Sequence, residues 1–201
     1  MAPVFRSSSF AGVLQEAGRF FANIQTRDKK AVIRFAGAGV YALYYYGNNI
    51  LYSNSVSIEG GIEYPIYIGK AVPPGSRRGV DASDSDTCFA LWQRLNQHYR
   101  SIDSAENLNR DDFRFKAMAM FHPETDLISA VESYLIREYC PLWNSVVDGF
   151  GNHTPGEGRF DQAKSDWDVI HPGRKFAEKC RGKHNSEESI REKIMSWRMT
   201  I

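Results

Sequence analysis

Cysteine is scarce in this chain. Cys88, Cys140 and Cys180 are odd in number and show no CxxC spacing, so neither a disulfide framework nor a cysteine-built zinc site is expected. No apolar run is long enough to span a bilayer, and the opening MAPVFRSSSF lacks the apolar stretch of a signal peptide. An intracellular, cytoplasmic protein with no membrane partner is the expectation. Charge of one sign is missing as well. Lys and Arg total 25 against 24 Asp and Glu, a net charge of +1, without the strongly basic balance by which nucleic-acid binders usually announce themselves. No repeat or low-complexity segment interrupts the sequence.

What is present is apolar and rich in tyrosine. With 42% hydrophobic residues among 201, the chain is the right size to bury one core, and a single domain over residues 1–201 is expected. AGAGVYALYYYGNN at 36–49 and YPIYIGKA at 64–71 are β-prone, and each sets a tyrosine close to a glycine. Strands are expected over 31–46 and 62–69, separated by a polar, glycine-bearing insertion at 47–61. FRFKAMAM at 113–120 alternates Phe113, Phe115, Ala117 and Ala119 with Arg114 and Lys116, the period of a half-buried strand.

Helical periodicity marks three further segments. Leu14, Phe20, Phe21 and Ile24 describe a short amphipathic helix near the start. Cys88, Leu91, Leu95, Tyr99 and Ile102 recur every three or four residues, behind the acids Asp81, Asp84 and Asp86, which suit a helix N-terminus. After Pro123, Leu127, Ile128, Val131 and Leu135 form another stripe, ended by Pro141. The order of elements implies an α+β fold with a small antiparallel or mixed sheet. DGFGNHTPGEG at 148–158 holds four glycines and a proline, an unusual turn content for an ordered loop. The run HPGRKFAEKCRGKH at 171–184 carries Arg174, Lys175, Lys179, Arg181 and Lys183 against the single acid Glu178. Such a run is most simply a solvated face.

Several polar residues lie beside the apolar stripes. Arg94 and His98 share a helix face next to Leu91 and Leu95, Glu132 lies between Ile128 and Ile136, and Asn144 follows Pro141 in PLWN. Singly, each reads as a solvated flank, a cap or a turn residue. Together they supply a carboxylate, a guanidinium, an imidazole, an amide and phenols, the inventory of phosphodiester hydrolysis.

Gly39-Val40-Tyr41, Tyr67-Ile68-Gly69, Arg94 with His98 on a helix, Glu132 with Leu135-Ile136, and Pro141-Leu142-Trp143-Asn144 resemble the GIY-YIG nuclease family in order and residue type over about residues 36–145. The resemblance implies a mainly antiparallel three-stranded sheet flanked by helices, with terminal embellishments and a DNA-contacting C-terminal extension over about 146–201. It further implies one Mg2+ per site and cleavage to a 5′-phosphate and a 3′-hydroxyl. By position Tyr41 resembles the tyrosine that activates or orients the attacking water, Tyr67 its second-strand partner, and Arg94 the phosphate-stabilising arginine. Glu132 resembles the sole protein metal ligand and Asn144 the amide that shapes the site, while His98 and Lys70 complete the catalytic set.

The 26 positions between Tyr41 and Tyr67 exceed the family's usual hairpin and leave the strand register open. Tyr44, Tyr45 and Tyr46 compete with Tyr41, which completes the tripeptide. Repair and homing relatives usually carry a second targeting domain, for which this chain has little length, so the similarity is greatest to small bacterial type II restriction endonucleases that cut the palindrome CCGCGG as homodimers on double-stranded DNA. Arg77, Arg78, Arg159, Arg174 and Lys175 are the expected DNA contacts. A structure-specific repair or mobile-element nuclease, and a noncatalytic DNA-binding module, are the alternatives.

Overall fold

Strand β2 (Ala38–Tyr45) is built from β-branched, aromatic and small residues, and all eight of them are buried. Such a strand needs a partner on each edge and a layer on each face. In the computed structural model, which describes residues 2–28, 33–52, 63–75, 87–152, 154 and 159–198, β2 pairs antiparallel with β3 (Tyr67–Ala71) on one side and β4 (Phe113–Met120) on the other. The two-residue β1 (Arg27–Asp28) adds to β4, giving the order β1-β4-β2-β3. The sheet thus has four strands where three were expected, because an exposed Arg-Asp pair carries no periodic signal.

Helices cover both faces. Tyr41, Leu43 and Tyr45, with Phe113 and Phe115, pack on Leu91, Leu95, Tyr99 and Ile102 of α2 (Ala90–Ser104). Val40, Ala42, Tyr44 and Met118 face Leu14 and Phe21 of α1 (Phe10–Ala22) and Ile128, Val131 and Leu135 of α3 (Ile128–Tyr139). The second layer explains a departure in β4: Lys116, expected on a solvated face, is buried. Its amine bonds Glu63 at 3.0 Å and the Ala22 carbonyl at the end of α1 at 3.2 Å, where a cation meets the negative end of the helix dipole.

Boundaries moved for local reasons. β2 begins at Ala38 because Gly37 turns toward α2, accepting the Leu91 amide at 3.0 Å. β3 begins at Tyr67, after Pro65, which has no amide hydrogen for the ladder. The expected helix-capping acids Asp81, Asp84 and Asp86, and most of the 47–61 insertion, lie outside the described residues.

The C-terminal segment is part of the core. Beyond the single turn α4 (Leu142–Ser145), Trp167 of α5 (Asp166–Ile170) and Ile190 and Ile194 of α6 (Glu187–Arg198) join the cluster that holds Tyr41 and Leu95. Deep in that cluster the Tyr52 hydroxyl pairs with His171 Nε2 and accepts from Trp143 Nε1 at 3.1 Å, while His171 Nδ1 lies 2.7 Å from Asn107 Oδ1.

Burial, and secondarily the charge of Arg174, push the His171 pKa down to about 3. An unfolded histidine takes up its proton near pH 6.5, so acid favours the unfolded chain. The contribution is intact above that pH and is lost as pH falls toward 3. From pH 7 to pH 5 the unfolding free energy should fall by about 2 kcal/mol more in the wild type than in His171→Gln. Urea titrations at the two pH values check this, and equal losses would mean that the buried imidazole charges without cost.

Candidate active site

The glycines of the two tyrosine tripeptides are steric requirements. Gly39 has φ +150°, and a Cβ there would come within 2.0 Å of the Met118 carbonyl oxygen, so no side chain can sit where β2 crosses β4. Tyr41 pairs with Gly69 on one side and Ala117 on the other. A Cβ on Gly69 would stand 2.4 Å from the Tyr41 hydroxyl; the phenol passes over the bare glycine. Tyr67, two residues before Gly69 and on the same face, puts its ring 6.3 Å from that of Tyr41.

α2 aims Arg94 and His98, one turn apart, at these phenols. The fully buried Tyr41 places its hydroxyl 2.6 Å from His98 Nε2, and the imidazole is held between Tyr67, at 5.1 Å in an edge contact, and Phe150, stacked at 4.5 Å and 19°. Arg94 donates to the Gly151 carbonyl at 3.2 Å and to Gln97 Oε1 at 3.1 Å. Burial drives the Tyr41 pKa well above the usual phenol value, and Tyr67 adds to the rise, while the Arg94 charge and hydrogen bond oppose it. Tyr67 is raised for the same leading reason. Both phenols therefore keep their protons at neutral pH.

Two further groups reach the site from the other face. Lys70 pairs with Val40 and so points toward the α1 and α3 layer, where its amine meets Glu132 Oε2 of α3 at 2.5 Å. Both are partly exposed, with 38% and 16% of their side chains accessible. Glu132 nevertheless senses the phenols, since its charge raises the pKa of both. β3 is an edge strand, and the site wraps around that edge. Asn144 closes part of it: its side chain accepts from the Ile68 amide and donates to the Ile68 carbonyl, both at 2.8 Å, as a neighbouring strand would.

Of the expected set, Tyr41, Tyr67, Arg94 and His98 are brought together on the α2 side, Lys70 and Glu132 pair with each other on the α3 side, and Asn144 binds the backbone of β3 between Tyr67 and Gly69. The competing tyrosines are placed elsewhere: Tyr44 is in the opposite core, Tyr45 accepts from the Asn49 amide at 2.8 Å, and Tyr46 donates to Glu63 at 2.6 Å. Among the expected DNA contacts, Arg159 and Lys175 are exposed. Arg77 and Arg78 lie outside the described residues. Arg174 is corrected: it is only 4% exposed and its Nε bonds Asp168 at 2.6 Å, so the basic run of 171–184 is not uniformly a surface. Phe150 and Gly151 went unnamed in the sequence, although the glycine-rich stretch at 148–158 marked their neighbourhood.

Among models of protein families, the one described as Eco29kI GIY-YIG domain matches residues 33–198. No curated protein matches the chain.

Gly69→Ala tests the placement of the phenol. A methyl group at this position must displace Tyr41 from His98, and overpacking of this kind costs about 1–3 kcal/mol. A lower melting temperature together with moved His98 imidazole resonances is expected. Wild-type stability with unmoved resonances would show that Tyr41 does not lie over the glycine.

Proposed function

The chain belongs to the Eco29kI GIY-YIG family, a restriction endonuclease family, and from that premise we propose that it is a type II site-specific deoxyribonuclease, hydrolysing duplex DNA to 5′-phosphate and 3′-hydroxyl ends. The observation that carries this reading is the 2.6 Å bond between Tyr41 and His98, set beside Tyr67 and Arg94 at a sheet edge.

Phosphodiester hydrolysis needs an oxygen nucleophile relieved of its proton and a fixed cation where charge develops on phosphorus. In the proposed reaction water attacks phosphorus in line as the bond to the 3′ oxygen breaks. The water proton moves to the Tyr41 oxygen while the Tyr41 proton moves to His98 Nε2, and the departing 3′ oxygen takes a proton from solvent. Because burial keeps the Tyr41 pKa high, the phenol cannot wait as a free phenolate and must pass one proton on as it accepts another. Arg94, oriented by Gly151 and Gln97, neutralises the equatorial phosphoryl oxygens. Lys70 adds a second positive charge at the rim.

The proposed ion is Mg2+, a hard divalent cation that takes oxygen donors. Among the described residues no group of three or more His, Cys, Asp or Glu could hold a metal; the family resemblance offers Glu132 as a single carboxylate ligand, with water and substrate phosphate to complete the shell in the manner of Mg2+. Bound there, Mg2+ would supply charge neutralisation and a more acidic water. The Lys70 ammonium pairs with the same carboxylate.

We infer a two-fold homodimer, which would bring one such set to each antiparallel strand; the GC-rich palindrome CCGCGG is what the family resemblance implies. Specific DNA interfaces bury roughly 1,000–2,500 Å² of protein surface, which two subunits reach more readily than one. Exposed Arg159 and Lys175 are proposed phosphate or guanine contacts.

Glu132→Gln should abolish cleavage yet bind a cognate duplex within a few-fold of wild type. Arg94→Ala should lower turnover by about 100-fold while changing affinity much less. Parallel cleavage and fluorescence-anisotropy measurements on one duplex decide. Cleavage by Glu132→Gln near the wild-type rate, or an Arg94→Ala defect confined to affinity, removes those residues from their roles.

A further inference from the structure

Arg174 is a buried cation that the hydrolytic scheme does not use, and its hydrogen bonds converge on one short loop. Nη2 donates to the Gly149 carbonyl at 2.9 Å, and Nη1 donates to those of Phe150 at 3.1 Å and Asn152 at 3.4 Å. The third nitrogen, Nε, donates to Asp168 Oδ1 at 2.6 Å, and Asp168 Oδ2 is fixed in turn by the Ser165 hydroxyl at 2.7 Å. The guanidinium lies 4.4 Å from the Trp167 ring centre and 4.9 Å from that of Phe176. At 4% exposure its guanidinium is engaged inside the protein and offers little surface to DNA.

The clamped loop supplies two contacts of the site. Phe150 stacks on His98 at 4.5 Å and meets the Tyr67 ring edge-on at 4.9 Å. The Gly151 carbonyl accepts from Arg94 at 3.2 Å. The proton acceptor of Tyr41 and the cation aimed at the phosphate are therefore both oriented by residues 150 and 151, which are both flanked by carbonyls that Arg174 holds. We propose that Arg174 is a positioning residue: with Asp168 it locks the 149–152 loop so that Phe150 sets the plane of the His98 imidazole and Gly151 sets the direction of Arg94. This rests on the endonuclease reading only for its consequence in rate. Three carbonyls and a carboxylate require a planar fork of donors, which lysine cannot reproduce, and misplacement of a catalytic group by about 1 Å can cost 100-fold in rate.

The test is Arg174→Lys, with three readouts. Single-turnover cleavage at saturating protein should slow by about 10- to 100-fold, while affinity for the duplex in EDTA should stay within twofold and the slope of log affinity against log salt should be unchanged. In NMR spectra of the free protein, the upfield ring-current displacement of the His98 ring protons by Phe150 should be lost, with the rest of the spectrum remaining that of a folded chain. Where the lysine variant does not fold, the double variant Asp168→Leu/Arg174→Met replaces the ion pair with apolar residues of similar volume, an exchange that buried pairs often tolerate. It should fold and show the same slow cleavage and shifted His98 resonances. Wild-type cleavage and His98 shifts in either folded variant overturn the proposal, as does a loss of affinity with a salt slope reduced by about 0.9, the mark of a phosphate contact. If the wild type cleaves no duplex, the endonuclease reading fails, and the His98 shifts still decide whether Arg174 positions the imidazole.

Discussion

The passage of the Tyr41 phenol over Gly69 is the contact on which the rest of the site depends. It requires a residue without a side chain directly across the ladder, and it fixes how far β3 may slide along β2, since a one-residue slip would turn Tyr67 to the wrong face. With the register held, the hydroxyl reaches His98 on α2 and the second phenol falls beside both. The two tripeptides in the sequence are thus the two halves of one steric fit.

That fit sits at an edge strand, where a sheet normally presents unpaired amides and carbonyls to solvent. Here the exposure is used from both sides. Phenols, Arg94 and His98 approach from the α2 layer, and Lys70 and Glu132 approach from the α3 layer. Asn144 satisfies Ile68 with a side-chain amide in place of another strand, which ties α4 to β3. Behind the site, a second tier of buried polar groups, with Arg174 at its centre, fixes the loop that carries Phe150 and Gly151.

Much of this was legible in the sequence because it is local or periodic. The stripes of α2 and α3 and the alternation at 113–120 could be read from spacing, whereas the seven candidate site residues were named only through the family resemblance that the order of the motifs carries. What escaped depended on tertiary context. Lys116 alternates like a surface residue, and only α1 covering that face buries it. Arg174 sits in a run of basic residues that reads as a solvated face, and its fate is decided by Asp168 and three carbonyls from a loop more than twenty residues earlier. Phe150 is one aromatic among many until its ring is found stacked on His98. β1 is too short to leave a pattern at all.

In the proposed reading one cluster, built on Tyr41, His98 and Arg94, hydrolyses DNA at a defined palindrome. The most direct measurement is to digest plasmid DNA of known sequence with the purified protein and Mg2+, and to sequence and chemically type every end. Such an endonuclease leaves 5′-phosphate and 3′-hydroxyl ends on both strands at a single GC-rich palindromic sequence. Intact plasmid, or ends scattered over unrelated sequences, would contradict it.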